Sequence, residues 1–84
     1  MPPSREEIQS AAVYLDGEYR KDRSVRDYFA EVVASEYGQG QSEYDADVPD
    51  LTIVLKSELP KDTRVIKNFH GLRVATKVLE GEKQ

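Results

Sequence analysis

The spacing of apolar positions changes midway along the chain. Ile8, Ala11, Ala12, Leu15 and Tyr19 recur at steps of three and four, the stripe of an amphipathic helix. Ser4-Arg5-Glu6-Glu7 precedes it and reads as a capping box, with Ser4 and Glu7 each satisfying the other's free amide. Gly17 stands where a helix stop is expected, so the predicted helix covers residues 5–16. The segment Val13 to Tyr19 also carries a rival pattern, a hairpin around Asp16-Gly17. Cap and period agree on the helix.

Val25, Tyr28, Phe29, Val32, Val33 and Tyr37 repeat the helical spacing, with Ser24 and Asp27 as the cap signal and Gly38 as the stop. This predicts a second helix over 24–37, folded back on the first as a hairpin. Across 38–50 apolar residues nearly vanish. Glycine, glutamine and serine dominate and Pro49 closes the run, the composition of a flexible linker. From residue 51 the period falls to two. Leu51, Ile53 and Leu55 share one face of a strand, and Thr52, Val54 and Lys56 the other. Arg64–Lys67 is a short strand candidate, 68–71 a turn, and Leu72, Val74, Thr76 and Val78 alternate along a further strand. Residues 80–84 read as a frayed tail.

Helices followed by strands predict an α+β fold. The expectation is a single domain over 1–84: a helical half, 4–37, a flexible linker, 38–50, and a strand half, 51–79. The helical hairpin should pack on a small, mostly antiparallel sheet of two or three strands. The expected core is Ile8, Ala12, Leu15, Tyr28, Phe29, Val32, Val33, Ile53, Leu55, Val65, Val74 and Val78.

A chain of 84 residues supports one small core. The absence of cysteine excludes disulfides, thiolate metal sites and cysteine nucleophiles, and points to a reducing compartment. The expected location is cytoplasmic: the N-terminal residues lack the apolar run of a signal peptide. No stretch approaches the ~20 apolar residues that span a bilayer, so no membrane partner is expected. Residues 1–47 hold 5 basic and 11 acidic side chains, and residues 48–84 hold 7 and 5. The first part is therefore −6 and the second +2, within a net charge of −4.

Candidate chemistry is sparse. His70, the only histidine, lies beside Gly71 in a turn, with no nucleophile in a recognisable motif around it. Asp45, Asp47 and Asp50 lack the glycine and terminal glutamate of a calcium loop. Gly38-Gln39-Gly40 follows a helix and has no third glycine, so it carries no phosphate-binding inference. Glu6 with Glu7, and Asp22 with Asp27, sit at helix ends without a cleft to separate their pKa values. Arg20, Lys21, Arg23 and Arg26 are interleaved with acids. The expectation is no catalytic residue, no metal and no cofactor.

Lys56, Arg73 and Lys77 alternate with apolar strand positions and fall on a solvent face that Lys67 could join, the basis of a contact surface for an acidic partner. Tyr14, Tyr19, Tyr37 and Tyr44 are rim tyrosines of the kind enriched at interfaces, and Tyr37 and Tyr44 complete the candidate partner-binding set. The helix pair followed by strands is similar in order to a winged-helix DNA binder. However, an acidic first half and Asp27, Glu31 and Glu36 on the second helix depart from that pattern. The expected function is a small non-catalytic protein-interaction domain, an accessory, regulatory or inhibitory protein acting on a larger partner. The alternative is a nucleic-acid-associated regulator using the basic strand face.

Overall fold

The Ser4 capping box forms. In a computed structural model, which describes residues 1–79, Ser4 Oγ accepts from the Glu7 amide at 3.1 Å and the Ser4 amide donates to Glu7 Oε1 at 2.9 Å. The tail, 80–84, lies outside the described residues. Helix α1 (Arg5–Lys21) runs through Gly17 and past the expected stop at residue 16. The rival hairpin at Val13–Tyr19 is absent. One further turn brings Tyr19 into the core, where its ring lies 5.8 Å from that of Phe29 and its hydroxyl accepts from the Ile66 amide. Tertiary contact thus outweighs the glycine. Nothing lies within 4 Å of a Cβ built at Gly17, and the position is exposed. Gly17→Ala should therefore stabilise the protein by about 0.5–1 kcal/mol through helix propensity, measurable as a rise in the thermal midpoint.

The predicted second helix does not form. Residues 22–28 make short turns in which Val25 and Arg26 donate to the Asp22 carbonyl. Asp22 Oδ1, rather than Ser24, takes the capping role and accepts from the Ser24 amide at 2.8 Å. Strand β1 (Phe29–Ala34) follows, rich in the β-branched and aromatic residues that favour extension. The helical spacing misleads for a geometric reason. The register slips between Phe29 and Glu31, leaving Ala30 as a bulge. The extra residue lets Phe29 and Val32, three apart, share one face, as they would on a helix.

Strands β2 (Leu51–Leu55), β3 (Asn68–Phe69) and β4 (Leu72–Val78) complete a four-stranded mixed sheet in the order β1-β2-β4-β3. The first and last pairs are antiparallel, and the central β2–β4 pair is parallel. This corrects the small antiparallel sheet; the α+β class stands. The short strand is Asn68–Phe69, not Arg64–Lys67, and the turn narrows to His70-Gly71.

Helix α1 covers one sheet face. Ile8, Ala11, Ala12, Leu15 and Tyr19 meet Phe29, Val32, Leu51, Ile53, Leu55, Leu72 and Val74, all buried. Among the expected core residues, Tyr28, Val65 and Val78 are half-buried, and Val33 falls on the opposite face with Thr52, Val54 and Ala75. No described helix covers that second face, and none is long and apolar enough to cross a membrane.

The outer edge of β1 is held by α1. Arg20 Nη2 donates to the Ala30 carbonyl at 3.0 Å, and Asp16 Oδ2 accepts from the Val32 amide at 3.1 Å. The two side chains bond each other at 2.5 Å. Burial raises the Asp16 pKa, but the hydrogen bonds from Arg20 and Val32 and the Arg20 charge outweigh it and hold the carboxyl below its ordinary 3.8. A depressed carboxylate stabilises the fold above its unfolded pKa and loses that contribution as pH falls through the folded value. Urea midpoints of wild type and Asp16→Asn should differ most near neutral pH and converge below about pH 4.

Candidate functional site

A groove of about 610 Å³ lies between the first turns of α1 and the β3–β4 hairpin. The N-cap Ser4 and, from α1, Glu7, Ala11 and Tyr14 line it, at the three- and four-residue steps that keep them on one flank of the helix. Phe69, His70 and Leu72 line the other side. The hairpin is closed by His70-Gly71, with φ of 50° and 85°. Two consecutive left-handed residues are the signature of a type I′ turn, whose twist matches the strands it joins. Asn68 Oδ1 secures it by accepting from the Gly71 amide at 3.1 Å.

The floor of the groove is aromatic. Tyr14 stacks on Phe69 at 5.8 Å between ring centroids with 25° between planes, and His70 meets the same ring edge-on at 4.4 Å. Tyr14 is 56% exposed and its neighbour Val13 75% exposed, although the stripe beside them on α1 is buried. The charged lining is Glu6 and Glu7. His70 is exposed and makes no hydrogen bond or ion pair among the described residues.

The expected contact residues scatter. Arg73 folds back over the 44–50 loop. Its guanidinium donates to the carbonyls of Ala46 and Val48, the latter at 2.6 Å, and lies 3.4 Å from the Tyr44 hydroxyl and 3.5 Å from Asp50 Oδ1. Asp50, only 3% exposed, also accepts from the Arg73 amide at 2.9 Å. Tyr37 and Tyr44 pack edge to face at 5.4 Å, the Tyr37 hydroxyl donates to the Pro3 carbonyl, and Arg5 lies 4.3 Å over the Tyr37 ring. Arg5 also donates to the carbonyls of Tyr37 and Ser42. The stretch expected as a flexible linker is thus a loop between neighbouring strands, tied to the body by two arginines. Arg73, Tyr37 and Tyr44 belong to those ties.

Lys56, Lys67 and Lys77 are exposed, on three separate segments. Lys77 pairs in register with Val54, whose other neighbour is Glu31, so the row carries both signs. The acidic run is likewise engaged locally: Asp45 accepts from the Asp47 amide and Asp50 is held by Arg73. No described cluster of three or more acids and histidines is placed to hold a metal ion.

No protein-family model, curated protein or solved structure matches this chain. The groove is hidden in the sequence because Asn68-Phe69-His70-Gly71 reads as a turn and Tyr14 as a rim tyrosine. The available signal was the adjacent pair Val13-Tyr14, apolar and off the buried stripe of a helix.

Proposed function

We propose that the chain is a non-catalytic protein-binding module, and that its partner lays an apolar side chain across the Tyr14–Phe69 shelf. The observation that carries this reading is the exposure of Val13 and Tyr14 beside a groove with an aromatic floor. Exposed aromatic area at low conformational cost is the usual anchor of a protein interface. Glu6 and Glu7 at the rim favour amide or basic groups on the partner around that anchor.

The test compares wild type and Tyr14→Glu as baits in native lysate, read by mass spectrometry. Tyr14 is more than half exposed, so the variant should melt close to wild type. A partner held by wild type and lost by the variant supports the reading, and identical captures defeat it. The alternative, a nucleic-acid-associated regulator, draws on Lys56, Lys67, Arg73 and Lys77. The Arg73 guanidinium is already committed to the 44–50 loop, which weakens that set. A salt-steep gel shift abolished by changing Lys56, Lys67 and Lys77 to Glu would restore it.

A further inference from the structure

The two edges of the sheet are treated differently. On β1 the even-numbered residues turn their backbone groups away from β2, and side chains meet them. Arg20 bonds the Ala30 carbonyl, Asp16 the Val32 amide, and Gln39 the Ala34 carbonyl at 2.6 Å. The bulge at Ala30 adds a kink. These are devices that stop a second strand from joining an edge.

Among the described residues, no side chain meets the outward backbone groups of the Thr76–Val78 stretch of β4. Arg73 accepts from Asp50 and Leu79 donates to Leu55, so the odd-numbered residues face β2. The even-numbered residues face outward, as Val74 shows by donating to Lys67. β3 pairs only with Leu72 and Arg73. Beyond it, the outward amides and carbonyls of Thr76 and Val78 have no partner among the described residues, and Thr76 and Lys77 are exposed. The segment is extended, in register with the sheet centre, and backed by the buried β2.

We propose that the Thr76–Val78 edge of β4 accepts an extended strand of a partner protein, one that places an acidic side chain beside Lys77. Backbone hydrogen bonds to Thr76 and Val78 would supply the pairing, and Lys77 the selectivity. Lys77 makes no ion pair among the described residues, so it is available for that contact. A second copy of this chain is disfavoured by the same residue. Antiparallel pairing of two β4 edges through Thr76 and Val78 sets Lys77 directly against its counterpart, where like charges repel. This site lies apart from the Tyr14 groove and does not depend on it.

The probes are two end-blocked peptides, one alternating valine with glutamate and one alternating valine with lysine, titrated into the full chain and followed by amide NMR. The glutamate peptide should shift the Thr76 and Val78 amides, slow their hydrogen exchange, and bind roughly tenfold tighter than the lysine peptide at low salt. Lys77→Glu should reverse that preference. Thr76→Pro should abolish binding, because it removes an outward donor and leaves the donors facing β2 in place. If that variant does not fold, the Lys77→Glu reversal still decides. Tyr14→Glu should change nothing in this assay, which separates this site from the groove. The inference is overturned if neither peptide perturbs Thr76–Val78, if the peptides act on β1 instead, if charge makes no difference, or if the free protein is a dimer through β4.

Discussion

Replacing Phe29 with alanine should cost about 3–5 kcal/mol of unfolding free energy, the usual loss for a buried aromatic. Phe29 is 3% exposed, begins β1, and pairs in register with Leu55. The Tyr19 ring packs on it and the Arg20 guanidinium lies 5.3 Å from its centroid. The substitution therefore loosens the last turn of α1 and the start of β1 together. Native domains have roughly 5–15 kcal/mol in total, so the variant should lose a large fraction of its stability. Urea denaturation followed by circular dichroism reads this directly. Phe29→Leu, which keeps much of the volume, should recover most of the loss. A midpoint that barely moves in Phe29→Ala would mean that the residue does not sit between helix and sheet.

The second large effect is expected at Gly38. A Cβ built there falls 2.6 Å from Ile8 Cγ2 and 3.2 Å from the Cβ atoms of Ile8 and Ala34. Ile8 is fully buried and β-branched, so it has little freedom to step aside. Gly38→Ala should destabilise by about 1–3 kcal/mol, as overpacking does in a close-packed core. The double variant Gly38→Ala with Ile8→Ala, which removes the Cγ2 that a valine would keep, provides the check. If the clash is the cause, shortening Ile8 should cost less in the Gly38→Ala background than in wild type, a coupling that a double-mutant cycle measures.

Gly38 also shows what was legible in the sequence and what was not. Read alone, it is the stop of a helix; in the fold it is the point where the loop after β1 crosses against α1. The capping box at Ser4, the buried stripe of α1 and the alternation in β2 and β4 were readable, because each is a local pattern backed by local chemistry. The identity of β1 was not. Val25, Phe29 and Val32 satisfy a helical period, and only the bulge at Ala30, set by pairing with β2, makes that spacing fit a strand. The parallel β2–β4 pairing was equally hidden, since it depends on contacts across a long connection. Among the candidate contact residues, the alternation correctly placed Arg73 and Lys77 opposite the buried face. It carried no sign that Arg73 would turn back to hold the 44–50 loop, because its partners there are mainly backbone carbonyls, which every residue possesses.

The position of β2 between β1 and β4 bears on the order of assembly. Segments 35–50 and 56–71, which join it to its two neighbours, are equal in length. The entropic cost of closing a loop rises only with the logarithm of its length, so neither pairing gains a head start from chain connectivity. The β3–β4 hairpin closes over two residues that already favour the turn, and α1 is nucleated by its own cap; both are microsecond events in isolated segments. The central strand, although the most buried, has no such local start, and is expected to pair with β4 and to order β1 only after those two elements have formed. Substitutions in β2 should accordingly change the unfolding rate more than the folding rate, while those at His70 and Gly71 should do the opposite.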